Sequence, residues 1–355
     1  MKKLLVLSDG RSIHTERWCR YFEQNDFEVA LFSLEEISIL GPKIKYQGSR
    51  PTGRGLIDYS LAKNHFRIVV ESFNPDIINA HYVNSYGWLA SHTDKCPVIV
   101  TAWGSDLLIV PQKSKMQKRR VAQALSQAHY CTVDSHNLFE AANEYIDAQK
   151  IIKIIMGIGR EFFEYRVKKD YGNNEIIRIL SPRGFQPVYN PETIIAAAER
   201  LKEKFRFHID MLGDSSNIEK YSAIIEDRNL SSHIKIKNRL PREEFEKSLS
   251  DYDIYLSASR SDSTSVSLLE AMSVGLLPVV SDIPGNREWI TDYHNGYLFE
   301  TGNVASLTEK LTEVLKGKID FDRIAQINRS LIQEKAIWQD NMSKLKKLFL
   351  DISCE

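Results

Sequence analysis

Short apolar runs alternate with amphipathic stretches along almost the whole chain, and this alternation narrows the fold more than any other feature of the 355 residues. In the first half the runs are Leu4–Leu7, Val29–Ser33, Ile77–Ala80, Val98–Ala102, Tyr130–Val133 and Ile151–Ile155. In the second half they are Ile177–Leu180, Phe207–Leu212, Ile234–Ile236, Ile254–Ser257 and Pro278–Val280. Between them lie stretches with helical spacing, among them Ile57–Phe73, Gln117–Ala128, Glu192–Phe205 and Ile218–Arg228. A strand that is apolar on both faces is buried on both faces, and helices between successive strands supply the cover. The expected class is therefore α/β with parallel sheets.

The run RVKKDYGNNE, near Tyr165–Asn174, is polar, charged and turn-rich, as a linker is. It divides the chain into two expected Rossmann-like domains, 1–165 and 175–330, whose sheets face each other across a cleft. A chain of this length supports two full cores. Ligands in such sheets bind beyond the carboxyl ends of the strands. Residues 331–355 close the chain, and one long helix is expected from about Ile324 to Asp351, with Trp338 and a Leu345/Leu348 stripe.

Composition removes several function classes. The formal net charge is zero, so nothing draws the chain to nucleic acid. No apolar run approaches the ~20 residues of a membrane span. The opening MKKLLVLSDG is too short in its apolar part for a secretory leader. Cys19, Cys96, Cys131 and Cys354 are scattered, which reads as reduced thiols in a cytoplasmic protein. No cluster has metal-site spacing, and catalysis without a metal or other cofactor is expected. Asp251-Tyr252-Asp253 mimics a metal-binding motif, but it opens an expected strand and reads as structural.

The densest stretch runs from Asp253 to Phe299, DIYLSASRSDSTSVSLLEAMSVGLLPVVSDIPGNREWITDYHNGYLF. A strand ends in a Ser-rich turn, a helix follows, and a second strand enters a Pro-Gly turn. Free N–H groups at that helix start, with the positive end of its dipole, suit a phosphate. Asp262-x7-Glu270, the LLEAM run, Gly275-Leu-Leu-Pro-Val-Val, Pro284-Gly285-x2-Glu288 and Asn295-Gly296 follow in order. Together they resemble the donor-binding half of the family 4 retaining glycosyltransferases, which have the GT-B fold.

The resemblance implies roles for particular residues. Catalytic parts fall to Asp262, His81 and Arg183. Arg183, in SPRGF after a strand, would grip the donor's diphosphate bidentately. Relatives carry a Lys about six positions on, where this chain has Tyr189 and Asn190. Glu270 would accept both ribose hydroxyls, since a carboxylate offers two acceptors to a vicinal diol. Asp262 would touch the sugar where relatives use the longer Glu. Ser263-Thr264-Ser265-Val266 forms the turn between the acids. Relatives have glycine at Ser263 and Ser265, so either a reshaped turn or a helix cap is expected there.

Gly213 and Asp214, with Arg239 and Leu240, would frame the ribose and base. Gly10 would approach the diphosphate in a loop that also holds Ser12 and His14, both on the acceptor side. His81 would face the sugar from the first domain. Trp103 replaces a histidine of relatives and would form a stacking wall for an acceptor sugar or fill core. The end of the chain would return to the first domain. The basic run Lys113, Lys115, Lys118, Arg119 and Arg120 could meet an anionic lipid at the inner membrane face, or be a solvated helix face.

The implied activity is retaining, metal-independent transfer of a sugar from a nucleoside diphosphate sugar to a hydroxyl of a saccharide or saccharide-lipid acceptor. The leaving phosphate would help deprotonate that hydroxyl. The same residues are compatible with a sugar-nucleotide epimerase or phosphorylase on a GT-B-like fold, or with a nucleotide-binding pseudoenzyme.

Overall fold

The computed structural model describes residues 1–165, 176–213, 217–317 and 319–352. Most of the expected linker (166–174), Asp214 and Cys354 lie outside the described residues. The chain forms two compact units, Met1–Ile155 with Asp340–Glu355, and Met156–Gln339. The division precedes the polar linker because residues 156–165 are tied into the second unit. Ile158 N donates to Ala336 O, and Trp338 N donates to Ile158 O, each at 2.8 Å. The Arg329 guanidinium donates to Phe163 O at 2.8 Å and to Tyr165 O at 3.1 Å.

The first unit holds β1 (Lys2–Leu7), β2 (Phe27–Ser33), β3 (Ile44–Gln47), β4 (Ile77–His81), β5 (Val98–Thr101), β6 (Tyr130–Val133) and β7 (Ile151–Lys153). They form one seven-stranded sheet in the order β3-β2-β1-β4-β5-β6-β7, and every pairing is parallel. The second unit holds β8 (Ile177–Ser181), β9 (Phe207–Gly213), β10 (Ile234–Asn238), β11 (Ile254–Ser257), β12 (Leu277–Ser281) and β13 (Tyr297–Phe299). Its six-stranded sheet runs β10-β9-β8-β11-β12-β13, again all parallel. Both are doubly wound, Rossmann-like sheets. In each the order reverses once, between β1 and β4 and between β8 and β11.

Most of the apolar runs became buried central strands, while Ile151–Ile155 and Ile234–Ile236 gave the partly exposed edge strands β7 and β10. The other two edge strands escaped that pattern. β3, IKYQ, alternates half-buried and exposed residues, and β13 has only three residues. The expected helix from Ile324 to Asp351 is two helices, Phe321–Lys335 and Trp338–Ile352. Ile337 leaves the helical path to make a parallel bridge with Ile158. In the first unit, Phe349 then stacks on Phe22 with centroids 4.9 Å apart, and Lys2 Nζ donates to Leu350 O at 2.9 Å.

The helix Val266–Val274 is buried along its whole length from Leu268 onward. It packs against Phe321–Lys335 and ends at Gly275, whose φ of +104° is left-handed. A Cβ there would lie 3.1 Å from Ala325 Cβ, so glycine serves both the turn and the close approach.

Among the described residues no helix is long and apolar enough to cross a membrane. Of the basic run, Lys113, Lys115, Lys118 and Arg119 are exposed. Arg120 is not part of that face, contrary to expectation. It is 6% exposed, its guanidinium lies 3.5 Å from the centre of the Trp88 ring, and Nη1 donates to Leu56 O at 2.9 Å. Cation–π contact and a carbonyl hold it inside the first unit.

Phe349 is fully buried. Phe349→Ala removes a core aromatic and its stack on Phe22, and is expected to lower stability by about 3–5 kcal/mol. Thermal unfolding followed by circular dichroism would show this as a melting temperature several degrees lower. An unchanged melt would mean that the terminal helix adds nothing to the core.

Candidate active site

In the second unit most of the expected donor residues gather at the carboxyl ends of β8 to β11. Arg183 lies just beyond β8, and the turn holding Asp262 lies just beyond β11, so they flank the reversal of strand order. The Arg183 Nη2 group donates to Asp262 Oδ2 in a short ion pair, both side chains being 17% exposed. Nη1 donates to Ser265 Oγ at 3.1 Å. Tyr255, buried in β11, places its hydroxyl 2.9 Å from Ser267 Oγ and 3.3 Å from Ser265 Oγ. The Tyr189 ring lies 4.7 Å from the guanidinium carbon. Burial pulls the Arg183 pKa down, but the Asp262 carboxylate outweighs it and the net shift is upward. The buried Nε of Arg183 has no hydrogen-bond partner.

Ser265 occupies the cap position of the helix Val266–Val274 at φ −75°, so glycine geometry is not needed there. Its hydroxyl does not cap the helix, because it faces Arg183 instead. Ser263 and Thr264 are buried, and Val266 is half-buried. Gly285, beyond β12, approaches this turn so closely that a Cβ would sit 2.0 Å from Ser263 O.

Glu270 has a side chain only 3% exposed, and Arg242 Nη1 donates to its Oε1 at 2.5 Å. The same guanidinium donates through Nε to Glu246 Oε1 at 2.6 Å and lies 4.8 Å from the centre of the Phe162 ring. Burial opposes the Arg242 charge, but Glu270 and Glu246 outweigh it and raise its pKa. Sequence reasoning missed Arg242. One signal was present: a cation in the first turn of a helix opposes the dipole, so something else must hold it. Gly213 ends β9, and its carbonyl accepts from Arg239 N at 3.2 Å. Arg239 is exposed and Leu240 half-exposed at the end of β10. Asn190 does not extend the cationic clamp. It is left-handed (φ +51°), bonds Thr193, and accepts from Arg260 Nη2 at 3.1 Å.

The first unit is built differently. His81 ends β4 and is fully buried. Its Nε2 lies 3.2 Å from Asn79 Oδ1, and its Nδ1 lies 3.0 Å from Ser8 Oγ. Asn79 also accepts from Trp18 Nε1 at 2.9 Å and donates to Thr101 Oγ1 at 2.9 Å. Since Asn79 Oδ1 only accepts, the His81 proton sits on Nε2 and Nδ1 accepts from Ser8. Burial and the nearby His14 push the His81 pKa down to about 3. The expectation of a His81 that reaches a sugar or phosphate meets a physical obstacle, because both ring nitrogens are already engaged inside the unit.

Gly10 is similarly engaged. Its N–H donates to Ser33 Oγ at 2.9 Å, and its carbonyl accepts from Ser38 and Ile39. Ser12 caps the helix Ile13–Glu23, its Oγ accepting from His14 N at 3.2 Å. His14 and Trp103 have ring centroids 5.6 Å apart. Among the described residues no three His, Cys, Asp or Glu side chains gather as a metal site. Asp253 turns inward and accepts from Arg178 N at 2.7 Å.

Residues 163–331 match the family model for glycosyl transferases group 1, and residues 3–135 match that for the glycosyl transferase 4-like group. This chain is a glycosyltransferase, its second unit matched by the group 1 model and its first by the 4-like model. This glycosyltransferase is 23% identical to an uncharacterised glycosyltransferase of Methanocaldococcus jannaschii, over 97% of this chain and 95% of the other. It is 20% identical to the N-acetyl-alpha-D-glucosaminyl L-malate synthase of Bacillus anthracis, over 80% of this chain and 77% of that one. Among solved structures, Anabaena HepE in complex with UDP and glucose matches with a TM-score of 0.79 and 14% identity, over 99% of this chain and 100% of that one. The fold of the glycosyltransferase is thus of the GT-B type.

The His81 geometry sets a pH dependence. Below about pH 6.5 an unfolded histidine takes up a proton that the folded site refuses until about pH 3. Stability attributable to this site is full above pH 6.5 and falls as the pH drops through that window. His81→Gln is expected to lower stability at pH 7 by about 1–3 kcal/mol. It is also expected to flatten the slope between pH 6.5 and 5. Urea midpoints across that range measure both; equal slopes would show that the imidazole is not buried neutral.

Proposed function

We propose that this glycosyltransferase moves a sugar from a nucleoside diphosphate sugar to a hydroxyl of a saccharide or lipid-linked saccharide, with retention of configuration and without a metal ion. The observation that carries the reading is Arg183 at the strand-order reversal. It is a half-buried cation beside a helix start that Ser265 does not cap. Such a place is suited to an anion. When the bond between the sugar's C1 and the phosphate oxygen breaks, negative charge grows on the diphosphate. Donors fixed in advance around that charge are the largest catalytic contribution of such a site.

In this reading Glu270 holds the ribose hydroxyls and Asp262 the sugar, while Ser263, Thr264, Ser265 and Val266 shape the pocket floor. Gly213, Arg239 and Leu240 lie toward the base. The Anabaena structure contains UDP, so UDP-sugars are the first donors to examine. The acceptor hydroxyl attacks from the face the diphosphate leaves, and a departing phosphate oxygen takes its proton. The product class is cell-surface polysaccharide or glycoconjugate, made in the cytoplasm. The exposed cations Lys113, Lys115, Lys118 and Arg119 are suited to an anionic lipid carrier at the membrane face.

Four measurements test the reading together. Turnover should persist in excess EDTA, and proton NMR of the product should show the donor's anomeric configuration. Bound nucleotide stabilises the protein by mass action, so UDP, GDP, ADP and TDP can be ranked by thermal shift. Glu270→Ala should abolish the shift for all of them. Arg183→Ala should lower kcat/KM by about 10²–10³-fold while the chain stays folded. An inverted product, or nucleotide shifts that survive Glu270→Ala, ends this reading.

A further inference from the structure

We propose, on the transferase reading above, that Trp103 and Tyr82 form a platform on which the acceptor's terminal ring stacks. The group receiving the sugar is then a pyranose rather than an open-chain alcohol. The rings come from different strand ends of the first unit: Tyr82 follows β4 and Trp103 follows β5, with His14 beyond β1 at one side. They lie beside the β1/β4 reversal, where such sheets bind ligands. Tyr82 and Trp103 have centroids 5.8 Å apart and planes 28° apart. Both are half-buried, so part of each ring stays in water.

Trp103 does not behave as a core tryptophan. Trp18 is 3% exposed and bonds Asn79, and Trp88 is 7% exposed and donates to Gln123 Oε1 at 3.0 Å. Trp103 alone is half-buried, whereas Trp18, Trp88, Trp289 and Trp338 are all buried; its unpartnered indole Nε1 is shared with the core Trp289 and does not set it apart. What a ligand can reach at Trp103 is the part of the ring left in water, not the enclosed Nε1.

The backbone holds this arrangement under strain. Tyr82 is left-handed at φ +63°, a conformation rare for a bulky residue. A π-helical turn, Tyr82–Gly87, begins there. The buried Asp106 carboxylate fixes both loops, accepting from Val83 N at 2.8 Å and from Trp103 N at 3.0 Å. Behind Trp103, His81 and Trp18 stand at 5.3 and 6.3 Å. The satisfied His81 network therefore becomes the rigid back of the platform. A pyranose presents one face of C–H groups to an aromatic ring and turns its hydroxyls to the edge. An open polyol has no such face.

The full chain labelled with 5-fluorotryptophan gives a 19F signal for each of its five Trp, and Trp103→Phe identifies the one of interest. The probes are methyl pyranosides of glucose, galactose, mannose and N-acetylglucosamine, with ribitol, L-malate and glycerol 3-phosphate as open-chain controls. At least one pyranoside should shift the Trp103 signal saturably, and the controls should not. Tyr82→Gly keeps the left-handed backbone and removes the ring. It should weaken that binding about 3- to 10-fold while the other four signals stay in place. If only open-chain probes move the signal, or no pyranoside does in a protein whose nucleotide thermal shift is intact, the platform is overturned. No donor is present in the titration. Loss of nucleotide binding or transfer alongside an intact pyranoside response would instead overturn the proposed function and leave the platform standing.

Discussion

A parallel sheet that winds outward in both directions from its first strand leaves one gap where neighbouring loops diverge, and everything functional in this chain depends on that constraint. The gaps lie between β1 and β4 and between β8 and β11. Loops elsewhere along each edge run to helices on a common side. Only at the reversal do they part, which gives side chains and ligands room above the strand ends. Arg183 and Asp262 flank one gap, and His81 with the loop after Leu7 flanks the other. The order of strands therefore settles where chemistry can occur before any side chain is chosen.

The two gaps are filled by opposite physical means. In the second unit charge meets charge, Arg183 with Asp262 and Arg242 with Glu270. In the first unit neutral groups meet in a closed chain that runs from Thr15 and Ser8 through His81 to Asn79, Thr101 and Thr132. A closed network leaves nothing spare for a ligand, so recognition there moves outward to the aromatic rings stacked in front of it. The ionic site is not fully paired, since the enclosed Nε of Arg183 has no hydrogen-bond partner. One surface suits an anion, and the other suits the apolar side of a ring.

Much of this was legible because burial on both faces writes itself into composition. Runs such as Leu4–Leu7 and Ile254–Ser257 can hardly be anything but central strands. β3 and β13 were not legible, because these two edge strands have a mixed or very short sequence, whereas the edge strands β7 and β10 kept isoleucine-rich runs. The break at Ala336–Ile337 was invisible too, since a bridge to Ile158 is made across many residues and leaves no local helix breaker. At the site, the types and order of Arg183, Asp262 and Glu270 were readable, but their partners were not. Arg120 looked like one more cation in a basic run until Trp88 appeared beneath it. For His81 the sequence suggested a residue facing the sugar but could not show that its ring nitrogens lie against Ser8 and Asn79. Spacing reports which residues share a loop or face; it does not report what tertiary packing has already used.

The two ion pairs of the second unit differ in a way that bears on binding. A carboxylate buried as deeply as Glu270 needs a partner, because an unpaired charge there would be expensive. Arg242 is that partner, and its own side chain is 42% exposed. If two hydroxyls take its place at Glu270, Arg242 can move into water with its charge solvated, and the acid need not shift. Arg183 and Asp262 have no such outlet, since each is 17% exposed and Arg183 is wedged between Tyr189, Ser265 and Asp262. Removing either partner would strand the other's charge. One pair is thus exchangeable and the other permanent. The difference follows from how much water reaches each arginine.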